Sequence, residues 1–173
     1  MSTIYLIFLI IFNTFLICFV IYTVYANLSG APYLPTRKKH VHTMLRLANV
    51  KKGEKLMDLG SGDGRIVLIA ARQGIHATGI EINPVLYYWA QIKRIFQKDT
   101  QLITFKRENL WDVDLSDVDV LTLFFIKPKM DKLLKKIQTE MKPGSRVVSH
   151  IFTFDGWQHE KKHGTIYVYE NKS

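Results

Sequence analysis

The 173-residue chain predicts an α/β fold: a doubly wound, mostly parallel sheet with a C-terminal antiparallel hairpin, preceded by one transmembrane helix. Three observations carry this. Strand-like and helix-like stretches alternate between Lys55 and Phe152, the pattern of a parallel sheet with crossover helices. Gly60, Gly62 and Gly64 stand at alternate positions where the first strand gives way to a helix. Residues 1–36 contain no Asp, Glu, Lys or Arg.

The first element follows from that last observation. Ile4 to Ala26 are almost entirely Ile, Leu, Phe, Val, Tyr and Thr. At ~1.5 Å per residue, such a helix reaches about 35 Å, enough to cross a ~30 Å hydrocarbon core. A cleavable signal peptide is the rival, since Val24-Tyr25-Ala26 loosely resembles a cleavage site, but no positive n-region precedes the run and it exceeds the usual ~7–15 residues. Arg37, Lys38, Lys39 and Arg46 follow the span and no Lys or Arg precedes it, which predicts a single pass with the globular part in the cytoplasm. Three regions result: a transmembrane helix over 1–27, a linker and pre-domain helix over 28–53, and the main domain over 54–173. Pro32 and Pro35 stiffen the linker. Thr36 is expected to cap a helix running to about Val50, with Val41, Met44, Leu45 and Ala48 facing inward.

Lys55 to Leu59 then form a buried strand, and Arg65 to Gln73 a helix closed by Gly74. His76 to Ile82 form a second strand ending in Glu81, followed by Asn83 as N-cap and Pro84 at the first helical position. Val85, Trp89, Ile92 and Phe96 make one apolar stripe on that helix, expected to face the core. Leu102 to Lys106 and Val118 to Ile126 are the third and fourth strands. A helix from about Pro128 to Met141 turns its Leu133, Leu134, Ile137 and Met141 inward, and Pro143-Gly144 lead into a fifth strand, Arg146 to Phe152. Trp157 to His163 and Thr165 to Glu170 form the hairpin, joined near Gly164. In such a sheet ligands bind beyond the carboxyl ends of the strands, where the glycine loop, Glu81, Asn109 and Lys127 fall.

The loop Met57-Asp58-Leu59-Gly60-Ser61-Gly62-Asp63-Gly64-Arg65 is the most informative stretch. Glycine takes positive φ and admits a ligand to van der Waals distance of the backbone. A dinucleotide fingerprint runs G-x-G-x-x-G, and its last position is Arg65 here. Asp63 at the helix start would also repel a pyrophosphate. Gly-x-Gly-x-Gly after Asp58 is instead the form used by class I methyltransferases that take S-adenosylmethionine, whose sulfonium and amino groups are cationic and tolerate acidic neighbours. Glu81, at the end of the second strand, is placed to accept hydrogen bonds from both ribose hydroxyls.

Charge and cysteine content narrow the options further. The net charge of +9 belongs wholly to residues 37–173, and its densest cluster begins soon after the span. That pattern favours an anionic membrane surface as partner, with nucleic acid the alternative. The only cysteine, Cys18, lies within the span, so the domain holds no disulfide, thiol nucleophile or zinc cluster, and no metal is expected.

Ala31-Pro32-Tyr33-Leu34-Pro35-Thr36, Asp58 to Arg65, Gly79-Ile80-Glu81-Ile82-Asn83-Pro84, Asn109-Leu110-Trp111 and Phe154-Asp155-Gly156-Trp157 together resemble the ATP synthase c-subunit lysine methyltransferase family and related archaeal protein lysine methyltransferases. The resemblance covers nearly all of residues 31–170 and implies a Rossmann-like class I methyltransferase sheet with S-adenosylmethionine as cofactor. By position it places Asp58, Gly60, Ser61, Gly62 and Gly64 along the methionine half of the cofactor, Glu81 at the ribose, and Ile82, Asn109 and Leu110 at the adenine; Asp63 and Asn83 are expected among the cofactor-binding residues as well. It makes Tyr33 and Pro35 a gate over the methyl-transfer channel. Tyr33, Trp111, Phe154 and Trp157 are candidate aromatic faces for an acceptor ammonium. Lys127-Pro128-Lys129 after the fourth strand and Ile151 near the fifth depart from the family pattern on the substrate side.

The leading expectation is therefore a membrane-anchored protein-lysine methyltransferase whose substrate is a protein, including a membrane protein. Alternatives are a methyltransferase for RNA, lipid or a small metabolite, and a non-catalytic docking module. An amino-base enzyme normally carries an Asn/Asp-Pro-Pro-Tyr-like motif after the fourth strand, and a cytosine-C5 enzyme a nucleophilic cysteine. The domain has neither, so no nucleic acid substrate is expected.

Overall fold

A computed structural model describes residues 3–28, 35–125 and 127–172. Five α-helices and seven strands follow one another in the described residues: α1 Thr3–Leu28, α2 Lys38–Leu47, β1 Lys55–Leu59, α3 Arg65–Ala71, β2 His76–Ile80, α4 Pro84–Ile95, β3 Ile103–Lys106, β4 Val120–Leu123, α5 Met130–Glu140, β5 Arg146–His150, β6 Lys161–His163 and β7 Ile166–Glu170. The strands make one sheet of order β3-β2-β1-β4-β5-β7-β6. β1 to β5 are parallel, and β7 inserts antiparallel between β5 and β6. The chain order reverses between β1 and β4, and the crevice outside the strand ends at such a point is the ligand site of doubly wound sheets.

Both faces of the sheet are covered, as parallel strands require. One core packs Val41, Met44, Val67 and Ala70 of α2 and α3 against Leu56, Ala77 and Val148. The other packs Leu133 and Ile137 of α5 against Leu121, Leu123 and Val147. α3 is apolar on every side because it lies between α2 and the sheet. α4 is set by its cap: Asn83 Oδ1 accepts the backbone N–H of Val85 at 2.9 Å and of Leu86 at 3.3 Å, with Pro84 at the first helical position.

Several expectations need correction. The second strand stops at Ile80, so Glu81 stands just beyond it. The fourth strand covers only 120–123, and Ile126 lies outside the described residues. Thr36 does not cap α2. That position is Arg37, and Thr36 Oγ1 instead meets His150 Nδ1 at 3.3 Å. The stripe Val85, Trp89, Ile92 and Phe96 does not face the core: each is about half exposed or more, and Ala90 is the residue that α4 buries fully. Its buried side meets Gly64 and Phe105, while the stripe lies on the opposite side.

α1 is as apolar as expected, and the side chains of its most apolar window are not buried by the rest of the chain. Two of its polar side chains turn back onto the helix, Asn13 Nδ2 donating to the Leu9 carbonyl and Thr23 Oγ1 to the Phe19 carbonyl, both at 2.8 Å. Tyr22 O–H donates to the Ile82 carbonyl, bringing the end of α1 beside the start of α4.

Candidate functional site

The loop after β1 is held from below by the end of β2. Gly60 N–H and Ser61 N–H both donate to the Ile80 carbonyl at 2.9 Å. Gly60, Gly62 and Gly64 have φ of 75°, 55° and 76°, a region that L side chains rarely adopt. Gly64 has a second reason to be glycine: a Cβ there would meet the Phe105 ring at 2.4 Å. Gly64 thus serves packing of α3 against β3 and α4, while Gly60 and Gly62 line a cleft with Asp58, Ser61, Asp63, Glu81, Pro35 and Phe124.

Three carboxyl groups converge on this cleft, each in a different electrostatic condition. Burial pushes the Asp58 carboxyl up to about 7; the hydrogen bond from Thr122 Oγ1 at 2.7 Å opposes this, and the charges of Glu81 and Asp63 reinforce it. Glu81 is raised by burial too, although its two oxygens accept the backbone N–H groups of Gly62 and Asn83, both at 2.8 Å. Asp63 is the opposite case: burial pushes it up, but Arg65 and Lys93 more than reverse this and hold it at about 2. Arg65 grips both Asp63 oxygens at 2.8 and 2.9 Å, and Lys93 Nζ approaches one at 2.6 Å. The other arm of Arg65 donates to the Thr36 carbonyl at 3.0 Å. The ion pair therefore straps the segment before α2 to the glycine loop.

A second cavity of about 290 Å³ shares Pro35, Thr36 and Phe124 with the first and adds His40, His150 and Ile151. His150, at the end of β5, contacts His40 edge-on at 5.2 Å between ring centroids and Phe124 at 5.5 Å. Burial, then the neighbouring His40, pushes the His150 pKa down. Ile151 has φ of 77°, a genuine outlier for a β-branched residue. Its N–H donates to the Thr165 carbonyl at 2.7 Å, a bond that holds the strained turn against the hairpin.

Residues 58–161 match the ANTKMT methyltransferase domain. The chain belongs to that family. It is similar to a protein-lysine N-methyltransferase of Saccharolobus islandicus, with 38% identity over 73% of this chain and 80% of that one. It is 31% identical to the ATP synthase c-subunit lysine N-methyltransferase of Mus musculus over 80% of this chain, and spans 58% of that protein's length. Among solved structures, it resembles an RNA methyltransferase from Salinibacter ruber in complex with S-adenosyl-L-homocysteine, with a TM-score of 0.78, 35% identity, and coverage of 80% of this chain and 94% of that one. The chain is an S-adenosylmethionine-dependent methyltransferase.

The donor set fits that cofactor. The Ser61 hydroxyl is buried without a partner. Glu81 already accepts backbone N–H groups on both oxygens, and a carboxylate has about four lone-pair sites, so acceptor capacity remains for a ligand hydroxyl. The other expected residues that the structure describes sit outside the cleft lining. Asn83 is occupied as a helix cap, Ile82 meets Tyr22, Asn109 Oδ1 accepts Trp111 N–H at 3.3 Å, and Leu110 is buried in the α5-side core. Trp157 packs on Tyr169 at 4.9 Å and Phe154 at 5.3 Å, and lines a separate cavity with Gln138 and His159. Tyr33 lies outside the described residues.

Thr122, Arg65, Phe124 and His40 went unrecognised in the sequence. Thr122 reaches Asp58 only because the register sets β1 and β4 side by side, and the sole signal for Arg65 was its place where a dinucleotide loop has glycine.

Proposed function

We propose that this chain is a membrane-anchored protein-lysine N-methyltransferase. The observation that carries the reading is the common wall of the two cavities: Pro35, Thr36 and Phe124 border both the acidic cleft and the aromatic, histidine-bearing cavity. Two reactants can meet there with water excluded, which is most of what a displacement at carbon needs. When bound, S-adenosylmethionine supplies a methyl group already activated by its sulfonium.

The chain's own residues do the rest. Asp58, Gly60, Ser61, Gly62 and Asp63 hold the amino-acid end of the cofactor, Glu81 the ribose, and the Ile82-Asn83 and Asn109-Leu110 segments the adenine side. Pro35, with Tyr33, gates the channel, and Trp157 supports the acceptor-side hairpin. An unperturbed lysine ammonium of pKa ~10.4 is neutral only about once in 2,500 at pH 7. Desolvation against Phe124 lowers that value. His150, on the wall of the second cavity, relays the amine's proton to solvent, since burial and His40 push its pKa down and disfavour its keeping the charge. The relatives named for lysine methylation support a protein substrate.

The architecture divides at 1–27, 28–53 and 54–173. α1 crosses the bilayer once, and the methyltransferase domain stands on the cytoplasmic side, where Arg37, Lys38 and Lys39 lie. Its length, its apolar composition and the return of Asn13 and Thr23 to their own helix support this, since a spanning segment must satisfy its polar groups internally.

The test is labelled S-adenosylmethionine with the purified full chain and its own membrane fraction. Label in a protein band, mapped to lysine by mass spectrometry and lost with Glu81→Ala, is the expected result. Label in RNA or lipid with none in protein replaces the substrate class.

A further inference from the structure

Outside α1, nearly all the large exposed apolar side chains of the described residues sit on α4: Val85, Tyr88, Trp89, Ile92, Ile95 and Phe96 are between 47% and 80% exposed. At ~100° per residue these positions fall within an arc of roughly 120°. That is a continuous apolar face directed away from the core, and such faces mark sites of contact with a partner or a membrane.

Its surroundings say what covers it. Beside the face is a cavity of about 330 Å³ lined by Lys38, Arg65, Arg72 and Lys93, against the single carboxylate of Asp63, with Phe96 forming part of its wall. Lys98 stands exposed just past the helix. At the other end, Tyr22 near the end of α1 donates to the Ile82 carbonyl, immediately before the Asn83 cap. An apolar stripe flanked by cations and joined at its foot to an apolar helix of membrane-spanning length matches a bilayer interface. A second copy of the chain would bring the same cations against themselves.

We propose that α4 lies in the plane of the bilayer, its apolar face in the headgroup and acyl boundary, with anionic headgroups over the Lys38–Arg72–Lys93 groove. This rests on the membrane-anchored reading and extends it. α4 starts at the Glu81 end of the sheet, so docking it turns the mouth of the cofactor cleft along the membrane surface, near the point where α1 emerges. The acceptor then arrives from the bilayer surface instead of from bulk solution.

Trp89 is one of three tryptophans and reports on this face directly. The full chain is reconstituted into phosphatidylcholine–phosphatidylserine vesicles whose phosphatidylcholine is brominated near the headgroup end of its acyl chains. Trp89 emission, taken as the difference between the wild type and Trp89→Phe, is expected to fall by about half, as for a helix seated at that depth. In vesicles of phosphatidylcholine alone the quenching is expected to drop several-fold. Ile92→Glu with Phe96→Glu, two exposed positions, is expected to abolish it while α1 keeps the protein with the vesicles. Retention of the chain by vesicles with Trp89 unquenched by lipid and open to aqueous acrylamide overturns the docking face and leaves the anchor intact. Trp89 shielded from both quenchers overturns it in favour of a protein partner. Failure to sediment with vesicles overturns the anchor and the docking together.

Discussion

The acidic cleft proposed as the cofactor edge and the aromatic cavity proposed as the acceptor edge are built by opposite means. On the cofactor edge, the polar groups are mostly committed: Glu81 to two backbone N–H groups, Asp58 to Thr122, Asp63 to Arg65 and Lys93. On the acceptor edge, Phe124, His40 and His150 give a sparsely bonded aromatic wall, finished by a residue in a strained conformation. A preorganised polar cradle suits a ligand that never changes. A loosely specified apolar channel suits an acceptor whose flanking residues vary.

The largest effect that separates the two edges is expected at Glu81. Glu81→Ala leaves the Gly62 and Asn83 N–H groups without their partner, at ~1–3 kcal/mol each, and removes the proposed ribose acceptor. Calorimetry is expected to show cofactor affinity reduced by about 100-fold or more. His150→Ala is expected to leave that affinity within about twofold and to lower turnover by ~10²-fold, the scale of a lost proton acceptor. If His150→Ala weakened cofactor binding as much as Glu81→Ala, the division between the edges would not hold.

A pH titration sharpens the same contrast. If Asp58, at about 7, holds the cationic amino group as proposed, it must be ionised to do so, and cofactor affinity is expected to rise from pH 6 to pH 8 and to level off above. Asp58→Asn flattens that rise. Stability moves the other way: the folded chain keeps a proton on Asp58 that the unfolded chain releases above about 4, so this group's contribution declines as pH climbs from about 4 to 7. Asp63, held at about 2, contributes stability that is complete above the unfolded value and lost as pH falls toward 2. Chemical denaturation of the wild type and Asp58→Asn at pH 5 and pH 8 reads the first slope.

The strap between the edges gives a smaller effect. Arg65→Ala leaves Asp63 to Lys93 alone and releases the Thr36 carbonyl. The loss of charge-assisted bonds in a half-buried setting is ~1–3 kcal/mol, expected as a fall in Tm and a raised KM for the acceptor. Arg65→Lys, without the planar fork, is expected to restore only part of either.

The two edges also differed in how far the sequence revealed them. Asp58, the three glycines and Glu81 lie in two short stretches, each at a strand end, where local rules of turn and cap fix their place. His40, Phe124, His150 and Thr165 come from four distant segments that only the sheet order brings together, and no spacing records it. α3 and α4 show the same limit in packing. Both are apolar, yet α3 is enclosed by α2 and the sheet while α4 turns its stripe outward. Periodicity identifies the face of a helix, and says nothing of whether protein or lipid is set against it.

The finest probe of the contrast is Ile151, since strain belongs to the acceptor edge alone among non-glycine residues of the site. The described residues hold one other non-glycine residue at positive φ, Asn49 at 51°, and asparagine tolerates that region. Ile151 at 77° does not, and such strain costs ~1–3 kcal/mol. Ile151→Gly relieves it, set against ~0.5–1 kcal/mol for the greater freedom of glycine in the unfolded chain. The Ile151 side chain is half exposed, so the burial lost is ~1 kcal/mol or less. Net stabilisation of about 1 kcal/mol or less is expected, with Ile151→Asn between the two, read from urea midpoints at unchanged m. The same variants are expected to leave cofactor affinity unchanged and to raise KM for the acceptor, because the turn that Ile151 completes aims His150 across the cavity. A stabilised Ile151→Gly enzyme with an unaltered acceptor KM would separate the strain from the channel and return it to the hairpin that holds it.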